Sequence, residues 1–479
     1  MPDNQPETAP AGDSHRGLLL ASALLTVVGG WMRFRGALND LWLDELISIH
    51  NAKTLQNIWQ VFTGIHADNN HYLNTVWLYL VGDGDSALRY RMLSLAFGVA
   101  SIPAAFWAVA KRSRTVQIVF TCLVAFSYPL VHFSSEARGY SGAIFAGLLA
   151  FGALEGWQSE EQAQGRWVAL FGVAVCLGIL FHLTFIFVWT ALAAWSLAAV
   201  SPLTWLAFRR WTALHAAPAL LFIVLGWADL RHLSTLGGPR YGRAYVVARL
   251  AALSLGWPLR DGWSVGILAA PLAALGSWTL LRMRRLGDRS WIFFAVLLIL
   301  PVFFLLAVHP EVTFPRYFMV IVPFAYLLLA LAGSNLRPMI WSVLLAIFVA
   351  GNLYLYASFL RVGRGDFSSA LSTIVRRTQP KTIVIASDND YRSGIELEYY
   401  QRQLPPGREL VFVQHEQLRQ ATPEWVVLHR EALDPATPTT LVQGDKQWEK
   451  IASFPCSELS GQVWVLYQLQ AHAASGRGR

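Results

Sequence analysis

The residues able to do chemistry gather in three short stretches, each at the edge of an apolar run. The first is Leu41-Trp42-Leu43-Asp44-Glu45-Leu46-Ile47-Ser48, in which two adjacent carboxylates sit among apolar neighbours. Adjacent helical positions point about 100° apart, so the two side chains cannot address one atom in the same way. A carboxylate beside apolar walls is a better proton acceptor than one in water, so one of the pair, Asp44 or Glu45, could serve as general base toward a hydroxyl. The same two residues also suit the positive N-terminal end of an interfacial helix. The second stretch is His66-Ala67-Asp68-Asn69-Asn70-His71-Tyr72-Leu73-Asn74, just before the apolar Val76 to Val81. His66, Asp68 and His71 could hydrogen-bond a sugar or, together with Asp44, bind a divalent ion. The two histidines lie five apart, which is not the i, i+4 pairing of a helical metal site, so hydrogen bonding to a hydroxylated substrate is preferred, with a divalent metal as the alternative cofactor.

The third stretch is Phe133-Ser134-Ser135-Glu136-Ala137-Arg138-Gly139-Tyr140-Ser141, whose pattern returns in His309-Pro310-Glu311-Val312-Thr313-Phe314-Pro315-Arg316-Tyr317. An arginine entering a membrane span is costly unless it reaches water, a lipid phosphate or a carboxylate. Arg138 alone could snorkel to headgroups or pair with Glu136. Two Arg-plus-Tyr sites opposite an acidic loop read instead as a pocket that clamps a phosphate, with Arg138, Tyr140, Arg316 and Tyr317 on the anion and Glu136 toward the substrate.

The elements that must position these residues are membrane helices. Of 479 residues 54% are apolar and only 14% charged, and the mean hydropathy is +0.40. That excludes a disordered chain, a coiled coil or a string of soluble domains. The many Trp, Tyr and Phe suit interfacial belts. Apolar runs at 17–34, 91–110, 115–133, 137–156, 167–180, 183–200, 212–230, 263–281, 290–308, 316–333 and 339–360 predict about eleven spans at about 20 residues each. The fold class expected is a polytopic α-helical membrane protein with a C-terminal soluble α/β domain. Residues 1–16 form a cytoplasmic leader and 17–360 the transmembrane domain, with outer loops over 36–90 and 231–262. Residues 361–479 form the extracytoplasmic domain.

Lys and Arg are densest in the connections placed inside by a cytoplasmic N-terminus. The parity depends on Phe181-His182-Leu183-Thr184 being a tight outer turn, because one continuous helix over 167–200 would invert everything after it. The formal charge of +8 thus reflects topology, and nucleic acid is excluded as a partner. Cys122 and Cys176 lie within apolar runs and Cys456 stands alone, so no disulfide framework is expected. In segment 361–479, helices near 367–377 and 392–403 and strands at 382–386, 410–413, 424–429 and 463–469 are predicted. No Gly-rich phosphate loop accompanies them, and Arg364-Gly365-Asp366 is given no adhesive role.

Taken together, Asp44-Glu45 after the first span, the Asp68 to Asn74 patch, Ser135-Glu136-Ala137-Arg138-Gly139-Tyr140 and Arg316-Tyr317 resemble the polytopic GT-C glycosyltransferases. The nearest likeness is to bacterial proteins of the protein mannosyltransferase and aminoarabinose transferase type, glycosyltransferase family 39, over residues 17–335. The resemblance implies a GT-C-like membrane domain and a polyprenyl-phosphate sugar donor. It also implies transfer with inversion to a lipid, glycan or protein acceptor at the outer face of the bacterial inner membrane. By position Asp44 matches the residue that deprotonates the acceptor, with Glu45 supporting it. Arg138 matches the residue that steadies the lipid phosphate, and Arg316 with Tyr317 would be a second contact. Where the family carries a His-Pro-Pro-Leu-like segment this chain has Asn70-His71-Tyr72-Leu73-Asn74, so only His71 and Leu73 correspond. Some GT-C enzymes need a divalent metal and others work without one. The rival reading is a polyprenyl-linked lipid flippase or transporter, which tends to carry ionisable residues near the bilayer midplane; here Arg138, Asp229, Arg231 and Arg316 lie at span edges. Glycosyl transfer requires these scattered acidic and basic residues to converge on one cavity.

Overall fold

The computed structural model describes residues 11–470 apart from 85, 161, 163, 201, 203, 235–236, 238–240, 259–261, 309–312, 418–420, 431–436 and 458. The chain divides into two compact units. The first comprises residues 1–37, 55–83 and 88–356, and the second 38–54, 84–87 and 357–479. The carboxylate pair and the C-terminal segment therefore share a unit, although most of the apolar runs lie between them in sequence. His309 to Val312 fall outside the described residues.

The first unit is helical. It contains α1 (Ala11–Gly36), α3 (Tyr72–Val81), α4 (Ala87–Ala108), α5 (Arg114–Phe126), α6 (Tyr128–Ser134), α7 (Tyr140–Ser159), α8 (Gln164–Phe181), α9 (Ile186–Ala199) and α10 (Trp205–Ala228). These are followed by α11 (Arg243–Ser254), α12 (Gly262–Arg285), α13 (Trp291–Phe303), α14 (Val322–Gly333) and most of α15 (Pro338–Val362). Among the described residues six helices are long and apolar enough to cross a membrane, seven if a bent pair counts as one span. The chain is an integral membrane protein. The eleven expected spans are not all reached by this measure. The runs at 183–200 and 290–308 fold as shorter apolar helices, Leu183–Ala199 and Trp291–Ala307, the first beginning after the break at His182 and the second ending in a π-helical stretch over Phe304–Val308. The break at His182 also rules out one continuous helix over 167–200.

The run 115–133 is not straight but bends by 57° between α5 and α6. Ser127 leaves the helical region and its hydroxyl accepts from the Leu130 backbone N–H, while Pro129 opens the first turn of α6, the two signals that start a new helix. The carbonyls left over at the end of α5 must still be paired in an apolar setting. Arg33 of α1 does this, its guanidinium donating to the carbonyls of Val124 at 3.0 Å and Ala125 at 3.1 Å. Asn352 Oδ1 accepts from the Tyr128 N–H at 2.7 Å, and the Ser127 hydroxyl meets that of Tyr326 at 2.8 Å. The bend is thus a polar joint that aims α6, and the Ser135 to Arg138 turn after it. Beyond the turn, α7 lies close to α8 because it has glycines at the contact: a Cβ at Gly142 would strike the Phe181 ring and one at Gly156 the Trp167 ring.

The second unit carries α2 (Leu43–Thr54), α16 (Phe367–Arg377), α17 (Asp390–Tyr400) and a six-stranded mixed sheet ordered β2-β1-β3-β6-β5-β4. Its strands are β1 (Thr382–Ser387), β2 (Glu409–Val413), β3 (Trp425–Arg430), β4 (Thr440–Gln443), β5 (Lys446–Phe454) and β6 (Val463–Leu469). β1 runs parallel to β2 and β3, and the remaining pairs are antiparallel. The four predicted strands and both predicted helices form. The β4–β5 hairpin was not expected, since its residues are largely polar and half-exposed, and only Gly444 at φ +64° marks the turn. Residues 38–41 are stitched to the C-terminal segment: Arg364 donates to Asn39 Oδ1, Asp40 accepts from Ser368 N–H and hydroxyl, and Tyr400 donates to the Leu41 carbonyl. Arg364 is fully buried and Asp366 caps α16, so the Arg-Gly-Asp tripeptide is structural.

Candidate active site

In the first unit the basic residues come together. Arg138 is buried on the turn that α6 delivers. Its backbone is fixed by Ser94, whose hydroxyl donates to the Arg138 carbonyl at 2.6 Å, and its guanidinium donates to Asn69 Oδ1. Gly139 follows because nothing larger fits: a Cβ there would stand 1.8 Å from the Phe181 carbonyl oxygen. That carbonyl also accepts from His71 Nδ1 at 3.2 Å. The polar patch before α3 is thereby tied to the α7 turn, and Asn74 reinforces the tie by donating to the Ala137 carbonyl at 2.7 Å.

Rings of three elements then stack on one another. His71 and Tyr140 each lie 4.5 Å from His182, centroid to centroid, and 5.5 Å from each other. The Arg138 guanidinium sits 5.7 Å from the Tyr140 ring. Arg316 and Tyr317 come from a 3-10 turn, Pro315–Ile321, that leads into α14. Arg316 acts electrostatically on both His71 and His182, as Arg138 does, and Tyr317 is within electrostatic reach of Arg138, Tyr140 and Asp68. Burial, then Arg138 and Arg316, hold His182 down to about 3. Burial, Arg138, His182 and Arg316 likewise hold His71 well below the usual histidine range, against a smaller opposing pull from the Phe181 carbonyl. Burial, together with two guanidiniums, thus holds two neighbouring imidazoles neutral.

Glu136 is fully buried and faces His132, 3.3 Å away. His66 is held elsewhere in the patch. Its Nδ1 is 2.5 Å from the buried Asp229, which also accepts from the Tyr72 hydroxyl at 2.5 Å, and a backbone bridge between 67 and 234 fixes the segment. Asp44 and Glu45 belong to the second unit, in the first turn of α2. They diverge as the helical angle requires. Glu45 is fully buried and its Oε2 accepts from the Trp42 N–H at 3.2 Å, a capping contact, while Asp44 is half-buried. Among the described residues no group of three or more His, Cys, Asp or Glu is placed to hold a metal ion. His182, Asp229, Asn69 and Tyr72 were not singled out as site residues. His182 and Asp229 were visible only as polar residues at the ends of apolar runs.

No protein-family model and no curated protein sequence matches the chain. Solved structures do. ArnT from Cupriavidus metallidurans, an aminoarabinose transferase, matches in its apo state with a TM-score of 0.54 at 11% identity, over 95% of this chain and 98% of that one. The same protein bound to undecaprenyl phosphate matches with a TM-score of 0.51 at 11% identity, over 98% and 100%. An oligosaccharyltransferase from Archaeoglobus fulgidus is fainter, with a TM-score of 0.43 at 12% identity over 86% of this chain and 67% of that one. The chain has the fold of the GT-C glycosyltransferase ArnT.

Proposed function

We propose that the protein is a membrane glycosyltransferase that moves a sugar from a polyprenyl-phosphate-linked donor to an acceptor at the outer face of the membrane, with inversion. The observation that carries this reading is the convergence of Arg138 and Arg316 on one buried cluster with His71, Tyr140 and His182. The undecaprenyl phosphate bound to the structural neighbour supports a lipid phosphate as that anion. The acceptor oxygen or nitrogen attacks the anomeric carbon as the bond from that carbon to the phosphate oxygen breaks. The electron pair of the broken bond leaves on the lipid phosphate, and the acceptor's proton passes to a base. Fixed guanidiniums at the departing oxygen stabilise the transition state more than the ground state. Asp44 is the proposed base, on its resemblance to the acidic residue after the first span and its half-buried place in α2. His66, Asp68 and His71 are proposed contacts for the sugar, with Tyr140 and Tyr317 beside the phosphate.

The test is to incubate the reconstituted protein with a panel of polyprenyl-phosphate sugars and follow donor loss and free polyprenyl phosphate by mass spectrometry. Arg138→Ala should weaken donor binding by roughly 10- to 100-fold, the worth of a charge-assisted hydrogen bond in a buried site. Movement of intact donor across the bilayer without cleavage would establish the flippase instead, and equal affinity of wild type and Arg138→Ala would remove Arg138 from the site.

A further inference from the structure

His71 and His182 stand side by side but their hydrogen bonds set them in opposite states. His71 Nδ1 faces the Phe181 carbonyl oxygen at 3.2 Å, so it must carry a hydrogen and donate. In the neutral ring Nε2 is then a bare acceptor, and this atom is buried with no hydrogen-bond partner; the residue is 3% exposed. A buried acceptor left unmet is destabilising, because it has given up its water without gaining a donor. His182 is the reverse. Its Nδ1 accepts from the Thr184 backbone N–H at 3.2 Å and lies 2.8 Å from the Thr184 hydroxyl. That nitrogen cannot take a proton without losing the backbone donor, so His182 stays neutral with its hydrogen on Nε2.

The groups facing the pair are Arg138 and Tyr140 from the α7 turn and Arg316 from the turn before α14. Both guanidiniums oppose a positive charge on His71. An anion that reaches them removes that opposition, and a proton on His71 Nε2 turns the unmet acceptor into a donor toward the anion.

We infer that His71 is a proton-taking contact of the anion site, charged when a lipid phosphate binds, while His182 remains a neutral donor beside it. This rests on the phosphate-site reading above and adds to it a coupling between donor capture and proton uptake. The ring so charged also meets the second negative charge that appears on the phosphate when the sugar leaves.

The probe is farnesyl methyl phosphate, a diester whose single charge is constant across the range, titrated calorimetrically into the full-length protein in detergent. Measurements in two buffers of different ionisation heat give the protons taken up per ligand. Wild type should take up roughly one proton near pH 6, and affinity should rise as the pH falls from about 7.5 to about 5.5, the linkage expected when a ring gains a proton on binding. His71→Gln should bind more weakly with uptake lost. His182→Gln should bind more weakly with uptake kept. Binding that depends on Arg138 but shows no proton uptake and no pH dependence in wild type would overturn the inference and leave the phosphate site standing. No binding at any pH would overturn both.

Discussion

Asp44 and Glu45, identical in charge and adjacent in sequence, take different tasks because a helix separates their directions. Glu45 closes the start of α2 by accepting from Trp42 N–H, so the capping explanation of the pair holds for that residue, and Asp44 is the one proposed as base. Asp44→Asn removes a proton acceptor with little change of shape. It should lower turnover by roughly 10² to 10⁴-fold while leaving affinity for the farnesyl diester unchanged. Near-normal turnover in lipid-reconstituted protein would reject Asp44 as base. His66 presents another arrangement, an imidazole oriented by a buried carboxylate that is itself held by Tyr72, and this fixes which ring nitrogen faces outward.

At the scale of elements, the site depends on three backbone segments meeting at the Phe181 carbonyl: the end of α8, the turn before α7 and the start of α3. Gly139→Ala should prise them apart, because the added methyl meets backbone that cannot rotate away. A thermal-stability loss of about 1–3 kcal/mol is expected, together with loss of diester binding. Gly165→Ala, where the added carbon meets nothing within 4 Å, should change neither. An unaltered Gly139→Ala protein would show that the approach is not needed.

Much of this scaffold was legible in the sequence. Apolar runs marked the helices, and the Arg-Gly-Tyr turn stood out against its surroundings. What could not be read was which neutral or polar residues converge. His182 shows no periodic signal, and its partners His71 and Tyr140 lie 111 and 42 positions away in sequence. The bend in 115–133 was hidden because hydropathy does not change across it, and the β4–β5 hairpin because one face of each strand is polar and exposed.

At the scale of the whole molecule, each of the two units carries its own buried histidine cluster. In the second, His429 of β3 is buried between Asp388 and Glu396, 2.9 Å from each, and Trp464 donates to Glu396. Burial pushes His429 down, but its bonds to Asp388 and Glu396 outweigh that and raise it from 6.5 to about 9. Asp388 is also raised by burial, yet its bonds to His429 and Arg430 bring it below its usual 3.8. The sign follows from these directions. The imidazolium contributes its full stability below about pH 6.5 and loses it as pH rises through about 9, while the Asp388 contribution is lost as pH falls below the carboxylate range. Hydrogen exchange of the β3 segment 425–430 should accelerate between pH 7 and 9.5 beyond the intrinsic rate. His429→Gln should exchange faster at neutral pH and lose most of that extra dependence, and an unchanged profile would deny the clasp its role.

The joint between α5 and α6 bears on how this protein can be engineered. Because Arg33 supplies the donors for the stranded carbonyls of Val124 and Ala125, the first helix is a structural component rather than an interchangeable tether. Exchanging it for a generic anchor of equal length and greasiness would leave two peptide oxygens facing hydrocarbon, and the arm that presents Arg138 would lose its brace.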